Sequence, residues 1–323
     1  MEETKRYSNL DVVAGLLVIW MIYFDHLRYM AGVQSFWGFD FLRKIFFFFM
    51  AWFFFKSGMF FKDHRTVKEV AKHDFRKFVV PYLIGCCLAM FLQLIYLIVT
   101  GQFDFKPFIV RNIINTLNHG GASWNIALWF LVSLYSVKII FRWAISYIHP
   151  IIIAFIAVLI SFILYHFGIF RPSFIGNIPL GLFFYSIGFL LRDLQYNRIM
   201  IASAIIMSLL LFLSNTVTSL NFRLNKVGSG DDYLIVMLAC ISNILVFNNL
   251  TKIITPPLLA FIGKQSMIFY VLHFPIGMLF SRIGIDYFHL DSMKLYLFTC
   301  IATTIMLAVM YFTIERSSNK FII

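Results

Sequence analysis

Apolar stretches of about 20 residues recur along this chain, each long enough to cross a hydrocarbon core roughly 30 Å thick. Ten such spans are read, at 10–30, 45–61, 78–100, 126–141, 151–168, 174–191, 199–219, 233–250, 258–281 and 295–314. Helices are expected, because an open sheet would leave backbone groups unpaired in lipid. With 61% hydrophobic and 13% charged residues and a mean hydropathy of +0.84, a soluble domain is excluded. The expectation is therefore an all-α polytopic bundle, one membrane-embedded unit over residues 1–323, with both termini cytoplasmic. The Met1–Tyr7 lead is too short and polar for a cleaved signal, so the first span is expected to remain as an anchor.

The net charge of +12 does not point to nucleic acid, because its distribution follows the membrane. With the amino terminus inside, sixteen Lys/Arg fall on cytoplasmic segments, including Lys5, Arg6 and Lys320. Ten fall on outer ones, including Arg171, and Lys56 lies within a span. That bias follows the positive-inside rule. Cys86, Cys87, Cys240 and Cys300 all sit in apolar runs without metal or disulfide spacing, and are read as helix-packing residues. No internal repeat is visible. Three polar segments stand out. The loop at 62–77 reads as a short amphipathic surface helix, with Val67, Val70, Ala71 and Phe75 on its apolar side. Residues 101–125 are long enough to cap the outer face, and 221–233 reads as a flexible connection.

Ionisable groups set between apolar runs are expensive, so those that remain are functional candidates. His26 lies sixteen residues into the first span, about 24 Å deep. It is either a general base or an interfacial histidine bonded to a neighbouring helix. Asp25 on a regular helix points about 100° away from it. It either pairs with Arg28 three residues on or orients a partner elsewhere. Lys56 either snorkels to the interface or holds an anion inside the bundle. His273 falls near mid-membrane beside Pro275, which frees a carbonyl and bends its helix. His119 and His166 read as interfacial. The cations of 62–77 suit either anionic lipid headgroups or a phosphate-rich donor.

Six segments, in order, resemble the acyltransferase family 3 membrane proteins, which acylate sugars. They are "YSNLDVVAGLLVIWMIYFDH" (7–26), "FFFFMAWFFFKSGMFFK" (46–62), "FRKFVVPYL" (75–83), "LWFLVSLY" (128–135), "FIGKQSMIFYVLHFPIG" (261–277) and "FTIERSSNKFI" (312–322). The resemblance implies that His26 acts in acyl transfer and that the basic loop meets acyl-coenzyme A, whose phosphates suit Arg and Lys. It aligns Trp129 with the aromatic of the fourth helix and His273 with the histidine of the ninth. Two departures stand out: Ala14 replaces a basic residue, and the family's histidine falls one residue earlier, where Asp25 stands. If the first two helices pack antiparallel, Lys56 supplies the missing charge.

The expected activity is that of an integral membrane O-acyltransferase of a bacterial cytoplasmic membrane. Acyl-coenzyme A, most simply acetyl, is donor, and a cell-envelope glycan or lipid-linked sugar is acceptor. Arg65, Lys68, Arg76 and Lys77 are expected to dock the donor phosphates. His26 is the expected base, Asp25 its orienter, and Asn125 and Ser123 are candidate oxyanion donors. No metal is expected, and membrane lipids but no nucleic acid are expected partners. The rival readings are a glycan transporter or flippase, disfavoured by the lack of visible inverted repeats and broken helices, and an inactive glycan-binding relative.

Overall fold

The first helix frames everything else. In the computed structural model, which describes residues 8–169, 173–193 and 198–320, α1 (Ser8–Ile19) runs through a π-helical turn (Trp20–Leu27) into α2 (Arg28–Met30). The chain returns as two pieces, α3 (Phe39–Phe46) and α4 (Phe49–Met59), broken at Phe47–Phe48. Helix α5 (Val67–Asp74) leads through a second π turn (Phe75–Val79) into α6 (Val80–Val99). There follow α7 (Phe105–His119), α8 (Trp129–Ala144), α9 (Pro150–His166), α10 (Ser173–Gly176), α11 (Ile178–Leu191) and α12 (Arg198–Leu213). A two-residue hairpin, β1 (Leu220–Asn221) with β2 (Lys226–Val227), precedes α13 (Tyr233–Leu250), α14 (Pro257–Lys264), α15 (Ser266–Asp286) and α16 (Ser292–Lys320).

The all-α membrane class holds. Seven of the described helical segments are long and apolar enough to cross a membrane, and α9 and α12 are shorter apolar helices. With the broken α3–α4 pair, about ten spans result. Lys5, Arg6 and Arg171, counted in the charge bias, lie outside the described residues, as does the side chain of Lys320.

Lipid offers no hydrophobic drive between helices, so close approach of small residues holds the bundle together. Helices α1 and α14 share the most extensive contact, and glycine sets its closeness. A Cβ on Gly15 would stand 2.0 Å from the Leu259 carbonyl oxygen, and one on Gly263 would stand 1.8 Å from that of Asp11. Helices α4 and α11 repeat the device, with Gly58 against the Tyr185 carbonyl and Gly188 against that of Phe55. Polar side chains add ties. Asn248 on α13 accepts the Trp52 indole N–H at 2.8 Å, and its carbonyl accepts Asn9 Nδ2 at 3.2 Å. Much of the surface of α6, α9, α12 and α16 is exposed Ile, Leu and Phe, as lipid contact demands.

Four readings are corrected. The 62–77 helix forms, capped by a reciprocal Thr66–Glu69 box, but it runs on into α6 instead of ending as a separate surface helix. Its buried stripe is Val70, Asp74 and Phe78, and Phe75 is exposed. The 258–281 span is two helices, broken at Gln265, which leaves helical geometry between α14 and α15. With the break in the second span, broken helices are therefore present. Residues 221–233 are no slack connection. Asn225, in the left-handed region at φ 51°, is buried and accepts from Tyr233 Oη at 2.6 Å and Ser161 Oγ at 3.0 Å.

Replacing Gly263 by Val is expected to push α14 away from α1, destabilising the bundle by about 1–3 kcal/mol. Thermal unfolding in detergent should show a lowered midpoint, and an unchanged midpoint would contradict the packing described.

Candidate functional site

A buried histidine must satisfy both ring nitrogens, and here that requirement fixes the proton positions. His273 on α15 is fully buried. Its Nδ1 lies 3.0 Å from the Phe269 carbonyl oxygen, which only accepts, so in the neutral ring Nδ1 carries the hydrogen. Nε2 of His273 is then an acceptor, and it lies 2.7 Å from His26 Nδ1. His26 must donate from Nδ1, so its Nε2 carries the free lone pair. The two rings are nearly coplanar, 5° apart. The chain of partners runs from a backbone carbonyl through His273 to His26, and it leaves a base at the far end.

Pro275 contributes indirectly. Lacking an N–H, it frees the carbonyl of Val271 one turn before, and the buried Asn125 side chain donates to that oxygen at 2.9 Å. Asn125 is thus committed to the kink and does not face the cavity beside His26. The Ser123 hydroxyl accepts from Asn115 and its amide donates to Asn112. Neither Asn125 nor Ser123 is among the residues that line the cavity beside His26.

Asp25 lies in the π turn beside His26. Adjacent side chains diverge on an α-helix and still diverge in a π turn, yet Asp25 and His26 line one cavity wide enough to take in both, with Asp25 Oδ2 3.7 Å from His26 Nε2. Of the two readings of Asp25, the pair with Arg28 does not form. Arg28 instead donates to the carbonyls of Phe24, Val33 and Gln34, folding the following loop back onto the helix end.

That cavity, about 500 Å³, opens on the face of α2 and the 220–227 hairpin. Trp129 lines it, stacked 6.1 Å from Phe222, which is itself stacked 5.0 Å from Phe54. Below it lies a cleft of about 170 Å³, which shares Met21, Met50 and Tyr270 with the cavity. The cleft shares Lys56, Ser57 and Lys77 with an inner cavity of about 600 Å³ on the opposite face. Adjoining spaces thus run from the basic loop to His26.

Lys56 does not snorkel outward. Its ammonium is 3.6 Å from Asp11 and 5.1 Å from the Trp52 ring centre, one helical turn from the depth of Ala14, which is fully buried. Arg65 and Lys77 line the inner cavity, and with Arg76 they line the adjoining surface groove. Lys68 does not; it lies on another flank of α5 with Phe75 and Tyr135. Lys62, another cation of the 62–77 loop, also lines the inner cavity, as does Lys138, which did not stand out in the sequence. Lys138 is 2.8 Å from the buried Asp74, which also meets His73 Nδ1 at 2.8 Å. The loop is pinned by Arg142, which donates to the Arg65 carbonyl, and by Arg192, which grips Asp63 with both Nη atoms. Those hydrogen bonds hold the Asp63 carboxyl below its ordinary pKa.

Replacing Asn125 by Leu would leave the Val271 carbonyl buried without a donor. Destabilisation of about 1–3 kcal/mol is expected in thermal unfolding, and no change would show that the kink does not depend on this bond.

Comparison with curated proteins and with solved structures gave no match. The model of the acyltransferase 3 family, described as an acyltransferase domain, matches residues 7–315. That match takes in α1 with His26, the basic loop and α15 with His273, and it spans nearly the whole chain: the protein belongs to the acyltransferase 3 family of membrane acyltransferases.

Proposed function

We infer that this chain moves an acyl group, most simply acetyl, from cytoplasmic acyl-coenzyme A to a hydroxyl of a cell-envelope glycan presented on the opposite face. The observation that carries the reading is the unshared Nε2 of His26, fixed by His273 and facing a cavity that adjoins the basic inner one. In this reading the face of the 62–77 loop is cytoplasmic, as the charge bias favours. The donor's phosphates meet Lys62, Arg65 and Lys77, and Arg76 at the groove mouth. Its slender arm extends past Lys56 and Ser57 towards Tyr270, and a cleft of this size suits a short acyl group.

His26 Nε2 then takes the proton of the acceptor hydroxyl as its oxygen attacks the thioester carbonyl. The C–S bond breaks, the coenzyme thiolate leaves, and the imidazolium returns the proton to it. His273 delocalises the charge of that imidazolium by accepting from Nδ1, and Asp25 beside Nε2 stabilises it electrostatically. Lys56 stands in for the cation absent at position 14, contributed from the neighbouring helix.

A transporter reading keeps one support, the breaks at Phe47–Phe48 and Gln265, since carriers build midplane sites from discontinuous helices. The two readings separate in one assay. Purified protein with labelled acetyl-coenzyme A and a glycan acceptor should place label on the sugar. His26→Ala should abolish transfer, His273→Ala should lower kcat by about a hundredfold with little change in KM, and Lys77→Ala should raise the coenzyme KM by about tenfold. No label with wild type, or equal label with His26→Ala, contradicts the assignment.

A further inference from the structure

Three arginines line the outer cavity, Arg28, Arg43 and Arg223, against one carboxylate, Asp25. Their circumstances differ. Arg28 commits Nε and Nη1 to three backbone carbonyls and lies 4.1 Å over the Phe39 ring. Arg43 shares that ring at 5.9 Å and touches Asp40 at 3.3 Å, and its Nε is buried with no hydrogen-bond partner. Arg223 is half-buried and donates to His119 Nδ1 at 3.3 Å, and among the described residues no carboxylate lies within ion-pair distance of it.

Arg223 is held where it is with some rigidity. On one side Phe222 is buried between Phe54 and Trp129. On the other, Asn225 is locked by Ser161 and Tyr233. The carbonyl of Arg223 itself accepts from Asn177 at 3.4 Å. Burial pushes its guanidinium below the ordinary pKa, the direction expected of a cation lacking a counter-charge. A partly desolvated cation fixed in place without an anion is unfavourable, and an anionic ligand removes that penalty. Guanidinium is also the group that recognises carboxylate and phosphate with paired hydrogen bonds.

We propose that the outer cavity selects an acceptor sugar bearing an oxyanion, phosphate or carboxylate, which Arg223 and Arg43 bind while a hydroxyl of the same acceptor reaches His26. The proposal rests on the acyl-transfer reading for the role of His26. The anion pocket itself is defined by the arginines and exists whether or not transfer occurs. The aromatic wall of Trp129 and Phe222 gives the sugar ring a flat face to lie on.

The test is binding without donor. Full-length protein in lipid nanodiscs is titrated with methyl glucoside, methyl glucuronide and glucose 6-phosphate, followed by tryptophan fluorescence, since Trp20 and Trp129 line the cavity. The expected result is that at least one anionic sugar binds about tenfold or more tightly than the neutral one, with the advantage falling as salt rises. The stronger of the two anions identifies the group. Arg223→Gln should remove most of that advantage and leave methyl glucoside binding unchanged, which shows that the variant is folded; Arg223→Lys should restore part of it. Equal affinity for neutral and charged sugars, an anionic advantage that survives Arg223→Gln, or no binding of any of the three would overturn the proposal. Because no acyl donor is present, a protein that binds anionic sugars but transfers nothing overturns the enzymatic reading alone. One that acylates sugars without regard to charge overturns only the anion pocket.

Discussion

The hydrogen bond between His26 and His273 is the contact on which the rest of the site depends. Inside a membrane bundle a polar group has no water to fall back on, so each ring nitrogen needs a protein partner or a function. The carbonyl of Phe269 fixes one end of the pair. The other end, Nε2 of His26, is directed into a cavity rather than into lipid. A proton acceptor set up in this way requires no rearrangement before it can act.

Several features with no chemistry of their own keep that arrangement in place. The π turn at Trp20–Leu27 carries both His26 and Asp25, which line one cavity. The proline kink of α15 would leave a carbonyl unsatisfied, and Asn125 supplies the missing donor. The glycine contacts of α1 with α14 bring the amino-terminal half of the first helix hard against the segment that precedes α15. These elements are distant in sequence, and the two histidines come from opposite ends of the chain. Their pairing is a property of the tertiary fold alone.

That distance explains what could be read from the residues beforehand and what could not. Hydropathy marked the helices, because spans of lipid-crossing length have few alternative explanations. His26, His273 and Lys56 stood out because charge and polarity are rare in such spans. Backbone irregularity left no comparable sign. Nothing in "WMIYFDHL" announces a π turn. The break at Gln265 falls in the short polar stretch Lys264–Gln265–Ser266, which a hydropathy window averages into the apolar residues on either side. Residues 221–233, rich in Asn, Gly and Asp, look like a loose loop in isolation. Their order comes from Phe222 inserting between Phe54 and Trp129 and from Asn225 meeting α9 and α13, contacts that no local pattern encodes. Lys138 carries no local mark in the sequence, and its burial against Asp74 places it in the wall of the inner cavity.

Adjoining cavities that share Lys77 and Lys56 at one end and Met21 and Tyr270 at the other give the account its central claim, that donor and acceptor meet at His26 from opposite faces. A structure of the protein determined with coenzyme A bound tests this most directly. The account predicts the phosphates among Lys62, Arg65 and Lys77, with the thiol end beyond Lys56 and close to His26 Nε2. Coenzyme bound on the face of the 220–227 hairpin, or a thiol that stops short of the cleft between Met50 and Tyr270, would contradict it.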